Sequence, residues 1–277
     1  MHCVMTLIGY SVSKRQAVPD VLIVLVYVLL SHHAMFESIT HASNDIWGAV
    51  TFAAACWYFQ RGRMTGAAVM AGLSVGLKMS WLLLLPAAGV SILCSLHRVP
   101  RRLLGCVSAG ATVVVLPALP FLLHSPLMYL NYAYNFGRDF TRSNNFAWRF
   151  LEQSVVSNSS FKLALLVLTA ASISGVCFIT GSALLRRRRS SSDYRCSVAE
   201  GQLLCSAMIL SVWCGVAFSR GIHSQFLLWV SWTLPIVAHS FMRLPALYSM
   251  LFCFLYDEAY RRPGYDMVRV CVLACML

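Results

Sequence analysis

Charged residues are scarce in this chain of 277 residues. Aspartate, glutamate, lysine and arginine together make up 12% of it, whereas hydrophobic residues make up 58% and the mean hydropathy is +0.68. A soluble domain of this length carries about twice that charged fraction, and one core cannot bury so much apolar side chain. The composition therefore excludes a soluble globular protein and predicts an all-α, polytopic membrane protein.

Carboxylates are the rarer of the charged groups, since ten acidic residues stand against 22 lysines and arginines. None of the ten forms a spacing that specifies paired acid and base chemistry, and the sequence contains no P-loop and no HExxH motif. The basic residues do not interleave with aromatics on one face, so we predict no nucleic-acid partner. The eleven cysteines form no CxxC pair, so we interpret them as small buried hydrophobes and predict no metal.

Apolar runs, by contrast, are abundant. Several are shorter than the roughly 20 residues that a straight span needs, so we expect some tilted or re-entrant segments. Nine runs are predicted to span the membrane: Ala17–Ser31, Ile46–Phe59, Met64–Leu77, Trp81–Leu96, Leu103–Leu123, Leu163–Leu185, Gln202–Phe218, Gln225–Phe241 and Leu244–Tyr256.

Cations occur in alternate loops between these runs, and the positive-inside bias assigns those loops to the cytosol. The opposite, luminal side then receives residues 32–45, 124–160 and 219–225, and membrane lipid surrounds the spans. We expect a single multi-span domain with these parts: a first span group at 17–123, a luminal loop with an amphipathic helix at 124–160, a second span group at 161–256 and a tail at 257–277.

The stretch FSRGIHSQFLLW, residues 218–229, places an arginine, a histidine and a glutamine between two apolar runs. Arg220 offers positive charge, His223 a donor and Gln225 an amide. This cluster is predicted to bind an anion on the luminal side. The alternative is a surface loop with no such role.

Three other cations are candidates for substrate contact. Lys78 lies between two apolar runs, where a lysine either finds a partner or extends to the interface. In the 124–160 loop, Arg138 and Arg149 stand among tyrosines, phenylalanines and a tryptophan. Such a surface suits an interfacial helix and, because arginine presents a fork of donors, also a phosphate.

Four stretches resemble, in order, motifs of the dolichyl-phosphate-mannose-dependent alpha-1,3-mannosyltransferase family of lipid-linked oligosaccharide assembly. The resemblance extends from about Ser31 to Pro235 and includes the Asn44-Asp45 pair in SNDIWGA. The second and fourth stretches are specific, whereas the apolar spans between them are not. The four stretches are LSVGLKMSWLLLLPA, LPALPFLLHSPLMYLNYAYNFGRDFTRSNNFAWRFL, FKLALL and FSRGIHSQFLLWVSWTLP.

The resemblance implies a type C glycosyltransferase, a many-span protein of the endoplasmic reticulum membrane with a luminal active site. Its implied reaction moves mannose from dolichyl phosphate mannose to a dolichol-linked, mannose-containing oligosaccharide in asparagine-linked glycan assembly, with inversion and without a cofactor. Fixed donors would then stabilise the leaving phosphate. By this resemblance Arg220, His223 and Gln225 bind the donor phosphate, and Lys78, Arg138 and Arg149 bind substrate.

The sequence departs from the family pattern at two motifs and at its N-terminus. Ser224 stands where the family has tyrosine, and His33 and Met35 occupy an arginine and a histidine position. In this fold the first luminal loop supplies the acidic general base, but no acidic residue precedes the first predicted span. We therefore expect an N-terminally truncated chain whose base lies upstream of Met1, with Asp45 as the candidate inside it.

Other readings of the same residues stay open. A polytopic carrier would also need a basic luminal mouth that captures an anion, although the paired broken helices of such carriers are not evident here. An inactive truncated protein, or a structural subunit of a membrane complex, would need no catalytic base. Transfer of labelled mannose distinguishes these readings from the enzyme.

Overall fold

The structure, a computed structural model, describes residues 45–134, 148, 151–190 and 198–219, together with single positions between 232 and 255. Every regular element among these residues is helical, which confirms the all-α prediction. In chain order the elements are α1 (Asp45–Gln60), α2 (Met64–Leu77), a 3-10 segment (Met79–Leu84), α3 (Leu85–Leu96), α4 (Pro100–His124), α5 (Pro126–Tyr134), α6 (Gln153–Ser157), α7 (Ser159–Ser190) and α8 (Val198–Ala217).

Four helices in the described part of the chain are long and apolar enough to cross a membrane. The helices α1 and α2 coincide with two further predicted runs but have only 16 and 14 residues. The predicted spans at 17–31, 225–241 and 244–256 fall largely outside the described residues, so the count of nine stays a prediction. The four long helices are Met79–Leu96, Pro100–His124, Ser159–Arg188 and Glu200–Ala217.

The described residues divide between two compact units, and three helices contribute to both. Unit one contains residues 45–53, 148, 151–170 and 213–219, with the single positions from 232 to 255. Unit two contains residues 54–134, 171–190 and 198–212. Each unit has its own set of buried side chains.

In unit two, α1 and α2 are joined by a tight turn that ends the first helix. The backbone N–H of Arg63 donates to the Tyr58 carbonyl (3.0 Å), and that of Gly62 donates to the Phe59 carbonyl (2.9 Å). Gly62 has a φ of 69°, the left-handed conformation that glycine adopts without a side-chain penalty. These are the bonds of a Schellman motif, so the sequence Gln60-Arg-Gly-Arg ends α1 and returns the chain at once into α2.

Helix α2 then packs along α4 through small residues. The Thr65 hydroxyl lies 3.4 Å from the Cys106 thiol. Farther along, a β-carbon on Gly72 would lie 2.4 Å from the Gly110 carbonyl oxygen, so any larger residue forces the helices apart. Residue numbers rise together along both helices, which shows that α2 and α4 run parallel and begin at the same end of unit two.

Between α2 and α3 the chain breaks at Lys78, as the sequence predicts. Lys78 has an extended backbone (φ −157°, ψ 128°), after which the 3-10 segment resumes the helical direction. The hydroxyl of Ser211 in α8 donates to the Leu83 carbonyl in that segment. A neighbouring helix thus supplies the hydrogen-bond donor for a carbonyl in the irregular part of the span. Such a donor is needed because the bilayer core has no water to bond that carbonyl.

The run of arginines at 186–189 follows the predicted span Leu163–Leu185, so the sequence assigns it to a cytosolic loop. That assignment is wrong, because all four belong to α7. Arg188 is buried and its Nε lies 3.0 Å from Oε1 of Glu200, near the start of α8. The helix dipole stabilises a cation in the last turn of a helix and an anion in the first turn, so each charge of the pair is also stabilised by its own helix. One arginine of the run is therefore structural, whereas Arg186 and Arg187 are exposed.

Cysteines fit the expectation of small buried hydrophobes. All seven that the structure describes are free, and six of them are buried.

Candidate functional site

Unit one contains a contact between two regions that the sequence separates by 71 residues. The indole Nε1–H of Trp148 donates to the Ser219 carbonyl at 2.8 Å. The Trp148 ring packs edge-on against Phe161, with ring centroids 5.5 Å apart and planes at 90°. We call Trp148, Phe161 and Ser219 the tryptophan junction. It joins the WRFL block of the 124–160 loop to the SRGIHSQ block.

The start of α7 positions Phe161 for this contact. Asn158 caps the helix, since its Oδ1 accepts the backbone N–H of Ser160 at 2.8 Å. The cap fixes the first turn of α7, and Phe161 projects from that turn. Sequence order alone explains this end of the junction: a short helix, a capping asparagine and then an aromatic residue.

Beside the junction lies an open groove of about 310 Å³. Its lining combines hydroxyl and amide groups with an aromatic ring. Such a surface offers hydrogen-bond donors and acceptors beside an apolar face. A sugar has matching groups, because it carries hydroxyls around an apolar ring face. The lining residues are Ser154, Val155, Asn158, Ser160 and Phe161.

A second set of contacts holds the chain just after the SRGIHSQ block. The buried indole N–H of Trp213 donates to the Thr233 hydroxyl at 2.8 Å. The neighbouring Trp232 packs edge-on against Phe52, with centroids 5.5 Å apart. Ser219 and Trp232, which flank residues 220–231 in the sequence, therefore both have contacts within unit one.

Asp45, the candidate base, is the first residue of α1 and is fully buried within unit one. A carboxylate at this position is favoured by the N-terminal end of the helix dipole. Its burial suits a structural role as well as a catalytic one, so its role as a base stays a prediction.

Lys78 is half-buried at the break after α2 in unit two. Because α2 rises about 1.5 Å per residue over 14 residues, Lys78 lies at the end of that helix remote from the turn at Arg61 and Arg63. This agrees with the alternation of the predicted spans, and its substrate contact stays a prediction.

The other predicted site residues lie outside the described part of the chain: Arg138, Arg149, Arg220, His223 and Gln225. Two of them are chain neighbours of the junction, since Arg149 follows Trp148 and Arg220 follows Ser219. Trp148 itself is the residue whose structural role sequence reasoning missed. The signal was present, because an indole N–H in an apolar environment requires an acceptor.

Two further chemistries find no support in the described residues. The letters GLSVG at 72–76 match the pattern of a nucleophile elbow, but Ser74 lies inside α2, is fully buried and donates to the Met70 carbonyl at 3.0 Å. An elbow requires a strand-to-helix turn that exposes the serine. No group of three potential metal-ligating side chains occurs among the described residues.

The helices and the composition together define a polytopic, all-α membrane protein. Comparison with known proteins narrows this class, because the model of the ALG3 protein family matches residues 1–262. The chain therefore belongs to that family, as the motifs in the sequence predict.

Three similar proteins are each described as a Dol-P-Man:Man(5)GlcNAc(2)-PP-Dol alpha-1,3-mannosyltransferase. The one from Neurospora crassa is 26% identical over 73% of this chain and 49% of its own length. The mouse protein is 31% identical over 59% of this chain and 38% of its own length. The human protein is 34% identical over 47% and 30%, respectively.

The chain thus spans at most about half the length of these relatives. No solved structure matches it.

Proposed function

We propose that this protein acts in asparagine-linked glycan assembly as a dolichyl-phosphate-mannose-dependent alpha-1,3-mannosyltransferase. Its substrates would be dolichyl phosphate mannose and a dolichol-linked, mannose-containing oligosaccharide. Its place would be the endoplasmic reticulum membrane, with the active site on the luminal side. Family membership and the shared description of the relatives support this proposal. The proposed reaction, as the resemblance implies, uses no cofactor.

The observation that carries the proposal is the 2.8 Å hydrogen bond between Trp148 and Ser219. It joins the two most specific blocks of the family resemblance. Through chain connectivity it supports a common site for Arg149 and Arg220, each adjacent to one end of the bond. Two guanidinium groups in one site would suit a phosphate. The donor contains a phosphate diester, and the departing dolichyl phosphate is a monoester.

In the proposed reaction, an acceptor hydroxyl oxygen forms a bond to C1 of the donor mannose. The bond between C1 and the phosphate oxygen breaks, and dolichyl phosphate leaves with the bonding electrons. A base takes the hydroxyl proton. Negative charge grows on the departing phosphate, so fixed donors from Arg220, His223 and Gln225 would stabilise the transition state more than the ground state.

The groove beside the junction supports a place for a sugar of the acceptor or donor. Its hydroxyl and amide groups lie next to Phe161, in contact with Trp148. Lys78, Arg138 and Arg149 remain proposed substrate contacts, and Asp45 the proposed base within this chain.

The test is transfer of labelled mannose from dolichyl phosphate mannose to the lipid-linked acceptor, in membranes that lack the native enzyme. We expect a product one mannose larger. Arg220→Ala and His223→Ala should each lower the rate about a hundredfold or more, as loss of a transition-state donor does. The matched control is His124→Ala, an exposed histidine at the end of α4, which should transfer at the unmodified rate.

Retained transfer in Arg220→Ala and His223→Ala would refute the phosphate site. Accumulation of a phosphorylated ligand in sealed vesicles, with no new glycosidic bond, would favour the carrier instead. Normal membrane insertion of each variant, measured in the same preparation, excludes misfolding as the cause of a loss.

A further inference from the structure

Unit two carries a set of exposed arginines that the proposed transfer reaction does not use. They occur at the turn after α1, in the turn before α4 and the first turn of α4, and at the end of α7. We call this set the arginine face: Arg61, Arg63, Arg98, Arg101, Arg102, Arg186 and Arg187, all of them exposed.

Contacts between α2 and α4 bring together two of the three groups of arginines, those near the start of α2 and those near the start of α4. Because Thr65 lies against Cys106 at 3.4 Å and the two helices run parallel, the turns that precede them lie at the same end of unit two. Arg63 is two residues before Thr65, and Arg102 is one helical turn before Cys106.

Contacts of α8 bring in the third site. Arg188 pairs with Glu200, and the next residue, Gly201, packs so closely on Gln60 that a β-carbon there would lie 2.6 Å from the Gln60 Cα. Gln60 is the residue before Arg61. The end of α7, with its exposed arginines, therefore lies beside the turn between α1 and α2.

Positive charge outweighs negative charge among the described residues of unit two. Glu200 is the one acidic residue among the described residues of that unit, and the buried Arg188 already pairs with it. The arginine face therefore presents concentrated positive charge toward its surroundings.

The residues beside the arginine face indicate that it lies at the depth of the lipid headgroups in the membrane. The Arg61 guanidinium lies 4.5 Å from the Trp57 ring centroid, and Trp57 and Tyr58 pack edge-on against each other. Tryptophan and tyrosine favour the boundary between headgroups and hydrocarbon. Just beyond Arg101 and Arg102, the apolar side chains of α4 are exposed: Leu104 is 67% exposed and Val107 55%.

We infer that the arginine face binds the headgroups of anionic phospholipids. Guanidinium groups form paired hydrogen bonds with phosphate oxygens, and basic clusters at the end of membrane spans attract acidic lipids. The exposed apolar side of α4 accommodates the acyl chains of the same molecule. A soluble phosphate compound would use the arginines alone.

The experiment measures lipid selectivity of the whole chain in nanodiscs, by electron paramagnetic resonance of spin-labelled lipids. We expect spin-labelled phosphatidic acid to associate roughly fivefold more strongly than spin-labelled phosphatidylcholine at low salt. The preference should fall toward one at about 1 M salt, where the Debye length is about 3 Å. Equal association of both lipids at low salt would overturn the inference.

Two matched variants locate the effect. Replacing Arg98, Arg101 and Arg102 by glutamine should abolish most of the preference, whereas replacing them by lysine retains the charge and should retain most of it. The lysine variant also keeps the loop charges that orient the spans. An unchanged preference in a correctly inserted glutamine variant would contradict the assignment to this face.

Competition separates the two sources of phosphate. Glycerol phosphate at millimolar concentration should leave the lipid preference unchanged, because it lacks acyl chains. If it displaces spin-labelled phosphatidic acid completely, the face is a site for soluble phosphates and the lipid assignment is wrong.

Discussion

The arginine face of unit two and the tryptophan junction of unit one are fixed by different means. Around the arginine face, helices meet through glycines and through a buried ion pair. At the tryptophan junction, a side-chain hydrogen bond to a backbone carbonyl joins distant regions. The comparison teaches that the close approach of helix backbones stabilises unit two. The hydrogen bond of the tryptophan junction instead fixes the position of Ser219, where the polar SRGIHSQ block begins.

The largest effect should come from breaking the buried ion pair. Glu200→Ala removes the carboxylate beside a buried guanidinium, which typically costs about 3–5 kcal/mol of unfolding free energy. Thermal unfolding of the purified chain in detergent measures this loss. The matched control, Arg187→Ala, removes the exposed neighbour and should change the free energy by less than about 0.5 kcal/mol. Equal losses in both variants would contradict the structural role of Arg188.

A smaller loss should follow from closing the gap between α2 and α4. Gly72→Ala drives a methyl group against the Gly110 carbonyl, and overpacking of this kind costs about 1–3 kcal/mol. Gly105→Ala is the control, because a β-carbon there meets no atom within 4 Å. Since alanine favours a helix over glycine by about 0.5–1 kcal/mol, the control should unfold at a slightly higher temperature. Comparable stability of both variants would refute the close approach.

At the junction, the effect on stability should be smaller still. Asn158→Ala removes the cap of α7 and should cost about 1 kcal/mol. Asn158→Asp retains an acceptor for the Ser160 N–H and should restore most of that loss. Thermal unfolding again provides the measurement. If the aspartate variant is no more stable than the alanine variant, the cap does not hold the start of α7.

Sequence reasoning predicted the parts of this fold that depend on local pattern. The run at Met64–Leu77 coincides with α2 in the structure, and the break at Lys78 follows from a lysine between apolar runs. It misassigned the arginine run, because arginine is also a good helix former and α7 continues through the charges. The partner that buries Arg188 is Glu200 in the next helix, which no periodicity indicates.

The candidate site was predictable in its residues but not in its assembly. The motif blocks around Arg149 and Arg220 are evident in the sequence. That these blocks meet depends on Trp148 and Ser219, and a contact over 71 residues is a product of tertiary packing. A tryptophan among other aromatics gives no sign of which carbonyl it will contact.

The central claim is that the tryptophan junction orients the phosphate-binding donors for mannose transfer. A double-mutant cycle of Trp148→Phe and Arg220→Lys, read as rates of mannose transfer, tests it most directly. Trp148→Phe keeps the ring contact with Phe161 but removes the indole donor, and should lower the rate about tenfold through lost orientation. The account predicts that the fall in rate of the double variant is smaller than the product of the two single falls. The reason is that both substitutions disturb the same phosphate-binding arrangement. Fully multiplicative losses, or an unchanged rate in Trp148→Phe, would contradict it.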